Sequence, residues 1–469
     1  MSSSTRPDPR RRPPGPKGVP VFGSVLDLWK DPFELLTREG PRHGDLVHFR
    51  FGPSVESFVI ANPEHASHVL LTNQRGYIKG RTYGGLRLTL GQGLVTSEFE
   101  LWRKQRRVVQ PMFRLERIAS FAGGMTACTA EMLESWAGRE SGAIDVHAEM
   151  MRLTLRIVGR TLFGTDVDAH TDTIAACVPV VLQHAVRHNQ SAVPLPPWVP
   201  TPRNRRFLRA LRTLDAIVFG MIDERRRRAR DQRDPAGALD LVGMLIGARD
   251  ESGAPAMDDR QIRDEVVTML GAGHETTATA LSWLWTILSR HPDVERRLHT
   301  EVSRVLGSRM PTLEDLPSLD YTERVILETL RLYPPVWCFD REAAADDELA
   351  GYPVPAGSVV AICPYLLHRH PDHWPNPEGF DPDRFLPEPV AARARCAFLP
   401  FGAGPRQCVG ERFAMMEAKL VVAMVVQRYR LELEPHQTLA FDPSVTLRPR
   451  DGVRVRLRRQ AEPGATSGR

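Results

Sequence analysis

Seven long segments, at about 100–137, 147–163, 203–231, 259–290, 292–306, 318–333 and 409–429, carry apolar residues at helical spacing, and no strand–helix alternation announces a parallel sheet. That pattern restricts the chain to a mainly α fold with minor β. β-formers at Asp45–Phe51 and Ser57–Ala61 flank Gly52-Pro53-Ser54 and predict a hairpin, while Tyr352–Cys363 and Val453–Leu457 read as further strands. The run Pro194–Pro202 is too rich in proline to be helical, so it separates two helices by a stiff apolar loop. With 42% hydrophobic and 25% charged residues, the 469-residue chain can bury a large core.

Several function classes fall away. The longest apolar runs, such as Leu420–Val426, are far short of the roughly 20 residues that cross a bilayer, so no membrane span is expected. Met1–Pro20 lacks the apolar stretch of a secretory signal, which gives a cytoplasmic expectation. Six cysteines without a CxxC pair indicate neither a disulfide scaffold nor a four-thiolate zinc site. The net charge of +5 is mild for this length and accompanies no nucleic-acid-binding motif, so no nucleic-acid partner is expected. The arginine-rich stretch around Arg225–Arg228 reads as a solvated helix face.

Chemistry concentrates in Phe401–Gly410, where Cys408 follows a glycine-rich turn and precedes a helical pattern. A sulfur at a helix amino-terminus meets free N–H donors and the positive end of the helix dipole, which lowers the thiol pKa and stabilises the anion. Such a sulfur can ligate a metal, and Arg406 can pair with an anionic group on a bound cofactor. On the segment 259–290, Gly271 and Gly273 each cost about 1 kcal/mol relative to alanine, which points to close approach by something flat or to a local widening of the helix. Glu275 and Thr276 then stand among apolar residues in mid-helix. His274-Glu275 is no zinc-protease motif, because Ala278 occupies the position of the second histidine. Glu328 and Arg331, three apart on a helix apolar almost all round, predict a buried ion pair.

The pattern F-x-x-G-x-R-x-C-x-G at Phe401–Gly410 resembles the haem-ligand signature of the cytochrome P450 family. Ala272-Gly273-His274-Glu275-Thr276-Thr277, Glu328-Thr329-Leu330-Arg331, Pro382-Asp383-Arg384-Phe385 and the W-x-x-x-R at Trp102–Arg106 match further family motifs in their usual order. The resemblance implies a single large helical domain at 19–459 with small β-sheets; residues 1–18, rich in proline and arginine, read as a disordered arm, and 460–469 as a disordered tail. It implies haem b with Cys408 as thiolate ligand and Phe401, Gly402, Gly410 and Ala272 around the ring. Trp102, Arg106, Arg341 and Arg406 match the family's propionate contacts, and Glu275 and Thr276 its proton-delivering acid–alcohol pair. Glu328, Arg331 and Arg384 match a structural network under the cysteine loop.

The implied activity is monooxygenation: one oxygen atom of dioxygen enters a lipophilic small molecule, terpenoid or fatty-acid-like, and the other leaves as water. The family's substrate-facing segments fall at 77–96, 178–200, 266–276, 335–339 and 443–447, with Val336, Trp337 and Phe339 as pocket residues. Electrons are expected from a separate ferredoxin or flavodoxin with its reductase, since no G-x-G-x-x-G follows a strand. A monomer is expected. A peroxygenase, an isomerase or a haem sensor would have no need of the acid–alcohol pair.

Overall fold

The computed structural model describes residues 11–460 apart from 54, 141, 165–167, 192–193 and 231–239. Its longer helices are α1 (Pro32–His43), α2 (Gly84–Leu90), α3 (Phe99–Val109), α4 (Ala122–Trp136), α5 (Val146–Leu162), α6 (Asp168–Gln190), α7 (Pro202–Arg230), α8 (Asp259–Arg290), α9 (Pro292–Leu306), α10 (Asp320–Leu332) and α11 (Glu411–Arg428). The segment read as 100–137 divides into α3, short turns and α4, and α6, on the amino-terminal side of the 194–202 loop, falls in none of the seven segments. α6 contains Pro179 and an apolar stretch without a clear polar face, so its periodicity is weak. No helix among the described residues is long and apolar enough to cross a membrane.

The largest core cluster forms around α8, which is buried along most of its length. Asp258 caps α8 by accepting a hydrogen bond from the Gln261 amide at 2.8 Å. α5 packs along α8, and a glycine lets them approach closely: a Cβ on Gly273 would lie 3.0 Å from Val158 Cγ2. Gly273 both admits α5 and lines the cavity, so of the two readings close approach holds, and α8 stays α-helical throughout without a local widening. Asp145 starts α5 by accepting from the His147 and Ala148 amides, and it also accepts from Val453 N at 3.0 Å, tying the helix to the C-terminal strand.

The expected hairpin is β1 (Leu46–Phe51) with β2 (Val55–Ile60), in register Leu46↔Ile60. A five-stranded sheet adds β3 (Tyr77–Ile78), β4 (Phe339–Ala343) and β5 (Val359–Ile362) in the order β1-β2-β5-β4-β3, with β2 and β5 parallel. Arg454–Arg459 pairs with Tyr429–Leu433 and Ala143–Asp145 in a smaller sheet. Of the arm expected at 1–18, residues 1–10 lie outside the described residues. Residues 11–18 run beside the hairpin: Pro14 O accepts from His48 N at 3.0 Å, and Arg12 pairs with Glu56 at 3.0 Å. The Arg225 stretch is mixed, because Arg226–Arg228 pair at the surface but Arg225 is buried against Asp240.

Candidate active site

The cysteine loop is closed on itself by backbone. Gly402 and Gly404 both have φ of +72°, and a Cβ on Gly404 would fall 2.2 Å from Leu70 O, so position 404 requires glycine. Phe401 O accepts from the Cys408 amide at 2.9 Å, and the Gly410 and Glu411 amides, free at the start of α11, donate toward the Cys408 sulfur. Burial nevertheless pushes the thiol up from its ordinary value, against those amides and the Arg106 guanidinium. This corrects the expectation that the helix end sets a lowered pKa: desolvation wins, because the sulfur's accessible surface faces a cavity and not open solvent. Coordination of a metal cation would lift that penalty, since a bound thiol is deprotonated outright.

Lys79, Arg106, Arg341 and Arg406 line the same cavity, together with Trp102 and Tyr83. Arg406 lies 4.1 Å over the Trp102 ring, pairs with Glu98 at 2.8 Å and donates to Ser97 O at 2.9 Å. Arg341 donates to Asp340 O at 2.7 Å and to Tyr83 Oη at 3.4 Å, and Arg106 donates to Gln407 O at 3.0 Å. The Lys79 ammonium donates to Val95 O. Burial and the neighbouring Arg341 pull Arg406 down to about 10 against the opposing pull of Glu98, and burial with Arg341 and Arg406 pulls Lys79 well below its ordinary value. The carboxylates nearest these cations are Glu98 and Asp340, and burial raises the latter toward neutrality. A positive surplus turned into a cavity fits a bound dianion, which a porphyrin with two propionates supplies. Lys79 and Tyr83 belong to no motif; the one signal for Lys79 was its place in a chain with only five lysines.

On the opposite wall, Ala272 and Thr276 of α8 face the cavity, and Thr276 Oγ1 donates to Ala272 O at 2.8 Å. Glu275 is buried outside that wall, where its Oε1 accepts from Thr446 Oγ1 at 2.6 Å. The expected acid–alcohol pair therefore occupies one turn of helix but two environments. His274 is fully buried off the cavity with Nδ1 against Leu270 O at 2.5 Å.

Val336 and Phe339 line the cavity as expected, beside Leu94, Val95 and Met269. Trp337 does not. The extended chain there turns alternate side chains apart, and Trp337, 6% exposed, packs edge-on against Phe33 at 5.4 Å in a separate core cluster. Among the described residues, neither 178–200 nor 443–447 contributes to the cavity wall. Phe401, Gly402 and Gly410 do.

Beneath the loop, Glu328 and Arg331 are both fully buried. Arg331 bonds bidentately to Glu328 at 2.7 and 2.8 Å, and its remaining N–H groups donate to the carbonyls of His368, Pro377 and Gly379 at 2.6–2.9 Å. Glu328 Oε1 also takes the Asp381 amide at 2.9 Å and the Arg384 guanidinium at 3.3 Å. His368 connects this network to the cysteine loop. Its Nε2 accepts from Leu399 N at 2.8 Å, which leaves the ring proton on Nδ1 for Arg331 O at 3.2 Å. Burial pulls its pKa down to about 3, so the ring stays neutral.

Comparison with known proteins agrees in extent. The family model described as Cytochrome P450 matches residues 13–454. The chain is 40% identical over 426 residues to cyclooctat-9-en-7-ol 5-monooxygenase of Streptomyces melanosporofaciens, covering 90% of each chain. It is 37% identical to pentalenene oxygenase of Streptomyces avermitilis, over 90% of this chain and 91% of that one. Among solved structures, the cytochrome P450DA heme domain superimposes with a TM-score of 0.83 at 28% identity, over 96% of this chain and 98% of that one.

Proposed function

The chain belongs to the cytochrome P450 family, and from that premise we propose a monooxygenase in which Cys408 ligates haem b and the substrate is a cyclic terpenoid. The carrying observation is that one cavity receives the Cys408 sulfur, the surplus cations and the Thr276 face of α8. When bound, the haem activates dioxygen, and thiolate donation favours O–O cleavage and oxygen transfer to the substrate. Lys79, Arg106, Arg341 and Arg406, with Trp102, hold the propionates, and Phe401, Gly402, Gly410 and Ala272 pack around the ring. Thr276 exchanges its bond to Ala272 O for one that holds a proton at Oγ1 beside the reacting centre. Glu275 is the reservoir behind it, reached when its carboxylate leaves Thr446. Leu94, Val95, Met269, Val336 and Phe339 exclude water and take up a lipophile. The terpenoid class is supported by the names of the two Streptomyces relatives. A type I spectral shift on titration with cyclooctat-9-en-7-ol or pentalenene tests it; no shift with either would reject the class.

Thr276→Ala is expected to keep haem content at the wild-type level and to lower product formed per reductant consumed about tenfold, with peroxide released instead. Unchanged coupling would remove Thr276 from the proton path, and lost haem would make it structural.

Electrons reach the site from a separate protein, a ferredoxin or flavodoxin served by its reductase. Arg103, Lys104, Arg107 and Arg412 are exposed near Trp102, Arg106 and Cys408 in sequence, and they form the proposed docking face for an acidic partner. Reduction by a ferredoxin should slow about tenfold or more from low to physiological ionic strength. Charge reversal at Arg103 and Arg107 should reproduce that loss without weakening substrate binding. Rates indifferent to both would move the docking face elsewhere.

A further inference from the structure

α6 and α7 pack as a helical hairpin, and near its tip His184 of α6 stacks on Phe207 of α7 with ring centres 3.9 Å apart. The proline-rich connection Pro194–Pro202 is braced from within. The buried Asn204 side chain donates to Pro196 O and Val199 O, each at 2.9 Å, and the Asn204 amide donates to Thr201 Oγ1 at 3.1 Å. That frame holds Trp198 at 78% exposure and Leu195 at 51%. Trp198 is the most exposed large apolar side chain among the described residues, and bonding, not a slack loop, fixes it there.

Charge is segregated on the same tip. Residues 173–214 contain six arginines, at 187, 203, 205, 206, 209 and 212, and no lysine, aspartate or glutamate. The whole chain nets +5, so everything outside this stretch nets −1. All six arginines are exposed, and none forms an ion pair among the described residues; the flanking acids Asp172 and Asp215 are turned to Arg152 and Arg263. Further along α7, by contrast, Arg226, Arg227 and Arg228 each meet a carboxylate. Arg187, Arg203 and Arg206 surround one surface hollow between the two helix ends, so they form a cationic collar below the apolar loop.

We propose that this tip docks reversibly on the surface of a bilayer containing anionic lipid, with Trp198 and Leu195 in the boundary between headgroups and acyl chains and the arginine collar on lipid phosphates. An indole favours that boundary, and arginine stems lie along apolar surface while their guanidinium groups reach phosphate. An acidic protein would pair with the arginines, whereas an indole projecting beyond them favours a surface that yields around it. Since no helix among the described residues can span a membrane, attachment rests on the apolar and electrostatic contributions acting together. Asn189, in the last turn of α6, accepts from the Gly85 amide of α2 at 2.7 Å, and α2 leads into the cavity-wall residues Leu94 and Val95. Docking therefore sets this side of the cavity toward the phase in which a lipophile dissolves, whichever lipophile is oxidised.

The test is co-sedimentation of the haem-loaded full chain with vesicles of phosphatidylcholine alone and of phosphatidylcholine mixed equally with phosphatidylglycerol. The mixed vesicles should bind at least about tenfold more tightly, and that affinity should fall about tenfold from low to physiological ionic strength. Trp198→Ser should weaken binding about tenfold, Trp198→Phe should keep most of it, and Arg203→Glu with Arg206→Glu should reduce it to the phosphatidylcholine level. Reduction by a ferredoxin should be unchanged in all three variants. Equal binding to both compositions overturns the proposal, as does binding that survives both Trp198→Ser and the double charge reversal. Absent vesicle binding together with ferredoxin reduction slowed by the double reversal also overturns it, and makes the tip a docking face for an acidic protein.

Discussion

Cys408→Ala protein should fail to develop the thiolate-type Soret band when reduced under carbon monoxide, and its monooxygenase turnover should drop at least about a thousandfold, equivalent to about 4 kcal/mol of barrier. The expectation is large because nothing near the sulfur can replace it. Cys408 lines the cavity, the Gly410 and Glu411 amides point at its sulfur, and the other free cysteines lie outside the wall. The variant should still fold. The loop is held by the Cys408 amide on Phe401 O, by Gly404 packed on Leu70 O and by Leu399 on His368, and none of these uses the thiol. The same circular dichroism spectrum with no thiolate band is therefore the expected pair of measurements. A retained band would assign the ligand elsewhere.

Glu328→Gln should be the most damaging substitution distant from the cavity. The Arg331 guanidinium would stay fully buried with no counter-charge, and breaking such a pair costs about 3–5 kcal/mol. That is a large share of the roughly 5–15 kcal/mol by which a folded protein is stable. The amide also supplies one acceptor oxygen where the carboxylate serves Arg331, Arg384 and the Asp381 amide. Denaturation of the haem-loaded protein, followed by the Soret band and by far-UV circular dichroism, should show both midpoints falling together. Arg324→Ala is the contrast: its partners Asp320 and Asp383 are substantially exposed, so the loss should stay within about 1 kcal/mol. Equal effects of the two variants would mean the buried network is not what supports the loop.

What the sequence made legible follows from how local each signal is. The cysteine loop, the 259–290 helix and the Glu328–Arg331 pair are written in adjacent residues, and each was found where expected. Which way a side chain turns is settled by partners far along the chain. Glu275 is turned toward Thr446, 171 positions away, and Trp337 is turned from its cavity-lining neighbour Val336 toward Phe33. Lys79 and His368 escaped notice for a related reason. A lone lysine or histidine has no local pattern, and its meaning comes from the Arg341–Arg406 cluster or from Leu399. Three-residue strands such as Ala143–Asp145 were equally unreadable, because their pairing partner is Arg454–Arg459.

The cavity wall begins at Lys79 and ends at Ala418, and this bears on how the protein is made. A ribosome delivers Lys79 long before Cys408, so a nascent chain has no complete cavity wall until Ala418 has been synthesised. Contacts of such long sequence separation form slowly, and chains of this size pass through partly collapsed states with apolar surface still exposed. Haem supplied during expression therefore meets a complete wall only after that point. Haem binds only the finished arrangement, so by mass action its capture draws the population out of those intermediates.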